Sequence, residues 1–186
     1  MAVYLALLHY PVYNKEKKVV ATSLTTLDIH DIARASRTYG VKGYFIVQPI
    51  ENHLWLANKL LSFWQGGHGR EYNPKRWEAL KLVKAVPYLE DAVKEIKEKE
   101  GKKPKIVATT AKNYENSITF KELRKKIKSE TPFLICFGTG WGLTEDFLKS
   151  ADYILEPIKG PSDYNHLSVR SAAAIILDRL LGGREC

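Results

Sequence analysis

A chain of 186 residues, 45% of them hydrophobic, holds one α/β domain with a full core and is too short for two large ones. Lys and Arg total 29 against 21 acidic residues, and the resulting +8 charge favours a polyanionic partner, nucleic acid first and an anionic membrane surface second. Abundant solvated Lys gives the same balance with no such partner. The two cysteines, Cys136 in an apolar run and Cys186 at the end, exclude a disulfide framework and a zinc site and suit a reducing cytoplasm. The apolar opening MAVYLALLHYPV lacks the basic flank and cleavage site of an export signal, and no apolar stretch is long enough to span a membrane. The expectation is one domain over residues 1–186, cytoplasmic, with no metal and no membrane.

In chain order, residues 2–9 read as a buried strand that stops at Tyr10-Pro11 and a charged turn over 14–18. Residues 25–39 read as a helix, with Asp28 early and Gly40 as its stop, and GYFIVQP (43–49) as the second strand. Residues 52–64 form a helix with Leu54, Trp55, Leu56, Leu60, Leu61 and Phe63 on one broad face, ended by Gly66-Gly67 and followed by a loop, GGHGREYNPK. A helical region over 76–100, bent or interrupted near Pro87, ends in the charged, solvated EDAVKEIKEKE. KIVATT (105–110) is the third strand, 119–129 a basic helix, PFLICF (132–137) the fourth strand and 153–157 the fifth. The last helix, 168–181, is Ala-rich and apolar nearly all round, which calls for burial, against another subunit as readily as within the domain. Apolar strands alternating with helices predict a mostly parallel sheet of five or six strands covered on both faces, with ligands beyond the carboxyl ends of the strands.

Three strand ends carry the unusual residues: ATTAK, FGTGWGL and EPIKGPSDYNHLS. Gly138, Gly140 and Gly142 would let a flat polar ligand approach the backbone; a tight turn with a capping glycine is the alternative, and the spacing is not the dinucleotide fingerprint. Gly160-Pro161 bends the chain, 162–166 is polar, and Ser168 stands where a helix N-cap belongs.

Together these segments resemble the SPOUT methyltransferases. The late motifs of that superfamily match Phe137, Gly138, Gly142, Leu143, Pro157, Ile158, Gly160, Asn165, Leu167, Ser168, Val169, Ala172, Ala174 and Ile175. Upstream, DIARASRTYGVKGYFIV resembles the first motif, with Arg34 six residues before Gly40, and ATTAK resembles the third-strand end. The resemblance spans residues 25–181 and is nearest to a small bacterial family of RNA methyltransferases sometimes fused to a tRNA guanine-N1 methyltransferase. It implies a deep trefoil knot in the C-terminal third, against the ordinary rule that chains do not thread loops. It also implies a homodimer packed through the last helix. S-adenosylmethionine is then expected in the knot, held by Thr109, Thr110, Cys136, Phe137, Gly138, Thr139, Gly140, Gly142, Leu155, Pro157, Ile158, Gly160, Asn165, His166, Leu167 and Ser168.

The substrate is expected to be tRNA or rRNA, modified on ribose or on a base. For a ribose 2′-hydroxyl, Arg34 is the candidate to orient phosphate or nucleophile, since an Arg is a poor base; a surface Arg is the alternative. The ribose-methylating branch usually has a Glu after Phe-Gly, where this chain has Thr139-Gly140-Trp141 and one residue fewer. Base methylation would draw on Asp163, Asn165 or His166, although His166 suits a structural role equally. RNA contact is assigned to His9, Tyr10, Tyr13 and Lys15, and to His68, Arg70, Tyr72, Lys75, Arg76 and Trp77, where cations meet phosphates and aromatics stack on unpaired bases. Packing over a loop would use the same aromatics. Two other functions stay open at this point: a noncatalytic RNA-binding or dimerisation module on the same scaffold, and a nucleotide-binding enzyme, which the missing Lys-Ser/Thr pair of a phosphate loop disfavours.

Overall fold

The computed structural model describes residues 1–183, so Cys186 lies outside the described residues. The elements run β1 (Val3–Leu8), a hairpin of β2 (Val12–Tyr13) and β3 (Val19–Val20), α1 (Thr26–Thr38), β4 (Gly43–Val47), α2 (Glu51–Gln65), α3 (Gly67–Tyr72), α4 (Pro74–Leu80) and β5 (Val83–Val86). They continue as α5 (Leu89–Glu100), β6 (Lys105–Ala108), α6 (Phe120–Ile127), β7 (Phe133–Gly138), α7 (Glu145–Ser150), β8 (Tyr153–Ile154) and α8 (Val169–Leu181). Six strands make one sheet in the order β5-β4-β1-β7-β6-β8, with every pairing parallel.

The register follows from burial. β1 is VYLALL, buried at every position, as a central parallel strand covered on both faces must be. Val3, Leu5 and Leu7 join Ile29, Ile32, Leu80, Leu123, Ala173 and Leu177 in one core, under α1, α4, α6 and α8. Tyr4, Ala6 and Leu8 join Ala92, Ile96 and Leu148 in the other, under α5 and α7. Each Leu or Ile buried this way contributes about 1.5–3 kcal/mol against exposure, so a one-residue slip of β1 would exchange the two sets and cost most of both cores. Because Leu8 pairs with Val47 on one side and Gly138 on the other, the ends of β1, β4 and β7 share one rim of the sheet.

Four expectations need correction. The helical region expected over 76–100, bent or interrupted near Pro87, is α4, a strand and α5: β5 pairs with β4, Tyr44 opposite Val83 and Val47 opposite Val86. A four-residue edge strand with Lys84 in its middle has too few positions to display a period of two. The loop over 66–75 contains α3 and the start of α4, whose Pro74 sits in the first turn behind Asn73, the cap that accepts from the Arg76 N–H at 3.0 Å. The fifth strand is only two residues long, with Leu155 continuing as a bridge to Ile118. Finally, α7 was not foreseen; Thr144 caps it by accepting from the Phe147 N–H. The last helix finds its burial largely within its own domain, through Ala173, Ile176, Leu177 and Leu180, while Val169, Ala172, Ala174 and Ile175 are half-buried.

Candidate cofactor site

The ends of β6 and β7, the start of α1 and the segment leading into α8 enclose a cavity of about 720 Å³. Its tightest wall is the turn after β7. A Cβ on Gly138 would lie 2.7 Å from the Leu143 backbone nitrogen, so only glycine lets the chain fold back on itself there. Gly140 and Gly142 both have positive φ, at 58° and 96°. The turn is stitched to the hairpin: the Trp141 N–H donates to the Tyr13 carbonyl and the Tyr13 N–H to the Gly142 carbonyl, each at 2.9 Å. The hairpin after β1 therefore forms the back of this wall.

The other walls come from later segments. The Thr109 hydroxyl donates to the Cys136 carbonyl at 3.0 Å, fixing the end of β6 against β7. The Asn165 side-chain amide donates to the Ala111 carbonyl at 2.9 Å and ties the loop before α8 to the loop after β6. Ser168 caps α8 by accepting from the Ser171 N–H, and Val169, Ala172 and Ile176 on that helix form an apolar side with Phe137, Ile158 and Leu167.

Two carboxylates line the space, Asp28 and Glu156. Asp28 is buried in the first turn of α1, accepts from the Thr25 hydroxyl at 2.6 Å and lies 3.6 Å from the Arg170 guanidinium. Glu156 accepts from the Phe120 N–H at 2.7 Å. Tyr114, also in the wall, donates to Glu145 at 2.7 Å; burial first and that carboxylate second push its phenol up to about 12. Exposed backbone at a glycine turn suits a flat, hydrogen-bonding adenine, the apolar side suits its ring face, and the carboxylates suit a cationic sulfonium. The residues present thus fit S-adenosylmethionine, with the Gly138 cradle as the feature a side chain would fill.

Of the residues expected at the cofactor, Thr109, Thr110, Phe137, Gly138, Thr139, Gly140, Gly142, Ile158, Asn165, His166, Leu167 and Ser168 line the cavity. Cys136, Leu155, Pro157 and Gly160 are absent from its lining. Cys136 alternates with Phe137 along β7, so its thiol packs in the opposite core and burial pushes its pKa up, leaving the carbonyl as its contribution. Leu155 is in the core under α8. Pro157 is buried, and Gly160 is exposed with open space around it. Among the catalytic candidates only Asn165 lines the cavity; Asp163 is exposed outside it, and Arg34 is exposed on α1, further along the helix than Asp28.

The RNA candidates divide as well. His9 is 0% exposed, and burial, with His53 adding to it, lowers its pKa to about 4, so a neutral, enclosed ring replaces the expected surface cation. Tyr13 is half-buried, its hydroxyl accepting from the Glu145 N–H, while Tyr10 and Lys15 are exposed. His68, Arg70, Tyr72 and Lys75 are exposed around α3 and α4, with Arg70 5.3 Å from the Trp77 ring and half-buried Arg76 5.0 Å from the Trp64 ring. Sequence reasoning missed Thr22, Thr25, Asp28, Lys112 and Tyr114 as wall residues. Thr25 and Asp28 looked like an ordinary helix start, which they also are. Among the described residues no group of three or more His, Cys, Asp or Glu could hold a metal ion, and no helix is long and apolar enough to cross a membrane.

A family model described as SAM-dependent RNA methyltransferase matches residues 2–182. An uncharacterized protein of Aquifex aeolicus is 44% identical over 185 residues, covering 99% of this chain and 90% of that protein. A tRNA (guanine-N(1)-)-methyltransferase of Oleidesulfovibrio alaskensis is 49% identical over 179 residues, covering 96% of this chain and 42% of the relative, so this chain spans less than half of that protein. Among solved structures, a probable methylase family protein of Haemophilus influenzae superposes with a TM-score of 0.63 at 18% identity, over 96% of this chain and 64% of the other, and shares the fold. The chain belongs to the SAM-dependent RNA methyltransferase family, with S-adenosylmethionine as its methyl donor, which answers the phosphate-loop alternative at the level of the family.

Proposed function

We propose that this protein methylates tRNA, at a ribose 2′-hydroxyl, as a homodimer of single-domain subunits. The observation that carries the reading is the cavity at the ends of β6 and β7, with its glycine cradle and two carboxylates, in a chain of this family. S-adenosylmethionine, when bound there, supplies an electrophilic methyl group. The protein's part is orientation: the 138–142 turn and the Asn165–Ala111 tie hold the wall, and Asp28 and Glu156 put negative charge beside a cation.

The tRNA assignment is supported by the longer relative, a tRNA (guanine-N(1)-)-methyltransferase. Ribose is favoured over base because Asp163 lies outside the cavity, Asn165 already spends its amide on Ala111, and the two carboxylates inside are engaged, Asp28 by Thr25 and Arg170 and Glu156 by the Phe120 N–H. Arg34 then orients the RNA. It does not line the cavity of its own chain but lies on α1, which packs along α8 and meets it through Arg170 and Asp31 at 3.7 Å. Pairing of two subunits through their α8 helices would bring each Arg34 toward the other's cavity. The knot expected from the family resemblance belongs to the same reading, supported by the loop before α8 crossing to Ala111 before the helix returns to α1. RNA is expected on the Arg70, Tyr72, Arg76 face, and the protein in the cytoplasm.

Transfer of labelled methyl groups to bulk tRNA and rRNA, followed by nucleoside digestion, tests this. A ribose-methylated nucleoside from tRNA alone is expected, lost in Arg34→Ala with cofactor affinity retained. A methylated base, or label in rRNA only, would overturn the finer assignment.

A further inference from the structure

His9, displaced from the RNA surface, needs another account. Its ring ends a line of side chains that reaches the cavity wall: Nδ1 is 3.3 Å from the Thr22 hydroxyl, which is 2.5 Å from the Thr139 hydroxyl, which donates to the Leu8 carbonyl at 3.1 Å. Thr22 and Thr139 both line the cavity. A hydroxyl has one proton. With the Thr139 proton on Leu8, Thr22 must donate to Thr139, and the proton between His9 and Thr22 must then come from Nδ1. The direction of every bond in the line is thereby set, and so is the tautomer of the ring.

That tautomer leaves Nε2 as a bare lone pair, and this atom is buried with no hydrogen-bond partner. An aliphatic side chain at position 9 would fill the same core without burying an unpaired acceptor, so packing does not account for a histidine here. What the ring alone supplies is the Nδ1–H. We propose that His9 is a positioning residue of the cofactor site, fixing through Thr22 the rotamer and lone-pair direction of the Thr139 hydroxyl on the cavity wall. This rests on assigning that cavity to S-adenosylmethionine. The backbone supports the same line: the Thr22 N–H donates to the His9 carbonyl at 2.9 Å, and the Thr22 carbonyl accepts from Gln48 at 2.9 Å, so Thr22 is held from both sides.

The isosteres separate the two ring nitrogens. The amide nitrogen of an asparagine overlies Nδ1 of a histidine, and that of a glutamine overlies Nε2. Calorimetric titration with S-adenosylmethionine should find His9→Asn within about twofold of wild type, and His9→Gln and His9→Leu weaker by roughly tenfold, the worth of one hydrogen bond. Equal binding by all three, or equal loss in all three, would overturn the proposal. Nitrogen-detected NMR of the ligand-free wild type reads the ring without any variant having to fold. A proton on Nδ1 is expected, and one on Nε2 would overturn the proposal. Wild-type protein that carries the Nδ1 proton yet binds no S-adenosylmethionine would instead bring down the cavity assignment, and this inference with it.

Discussion

The cavity and the α2–α4 face are built on opposite principles. The cavity wall is made by backbone: Gly138 leaves no room for a Cβ, and the turn is laced to the hairpin by main-chain bonds on both sides of Tyr13. The α2–α4 face is made by side chains standing in solvent. Tyr72 is 74% exposed, its ring is stacked near His68, and Arg70 and Lys81 lie against the Trp77 ring. A backbone site fails when a side chain is added, whereas a side-chain surface fails only when one is removed.

Gly138→Ala is the hardest test of that contrast. The new methyl meets the Leu143 backbone and the Leu143 side chain, at 2.7 and 2.9 Å, so the turn must open. Cofactor affinity by calorimetry should fall about 100-fold or more, with RNA retention on the α2–α4 face little changed. Acid acts next, on two histidines shifted by burial. The folded pKa of His9, about 4, lies below its ordinary 6.5, so the unfolded chain takes up protons that the folded one refuses as pH falls between those values. Stability is full above pH 6.5 and declines by about 3 kcal/mol as pH approaches 4, a loss that urea titrations should find and that His9→Leu should remove. His30, lowered mainly by burial and then by Arg76, adds to the decline in the same direction.

On the exposed face, Tyr72→Ala should weaken RNA binding by roughly tenfold, the worth of one stacked base, while cofactor affinity and melting temperature stay at wild-type values. Loss of cofactor binding in this variant would mean that the two regions are one site. Smallest of all, Lys102→Ala removes the exposed ion pair with Glu130, remote from both, and should shift stability by less than about 0.5 kcal/mol in thermal unfolding.

The same contrast explains what the sequence disclosed. Glycines at 138, 140 and 142 after an apolar strand report on the backbone directly, and the wall they build was legible. So was the Ser168 cap, a local signal that stands one residue before α8 begins. Asp28 and Thr25 stayed hidden because one pattern served two purposes, capping α1 and lining the cavity. His9 was misread because HYPVYNK looks like surface in isolation. What packs around it lies elsewhere in the chain: its ring meets Thr22, its N–H the Val47 carbonyl, and His53 is near enough to bear on its pKa. β5 escaped for a different reason: an edge strand of four residues is decided by its neighbour β4, which no local window contains.

The place of β1 also bears on how the chain is made. It leaves the ribosome well before one of its two neighbours: one edge is reserved for β7, and Val3 waits for Phe133. During synthesis that edge offers six unpaired residues until β7 follows. Closure of the sheet is therefore a late, long-range event. Translation paused before β7 should yield a species that binds hydrophobic dyes and chaperones, and that becomes compact once β7 has emerged.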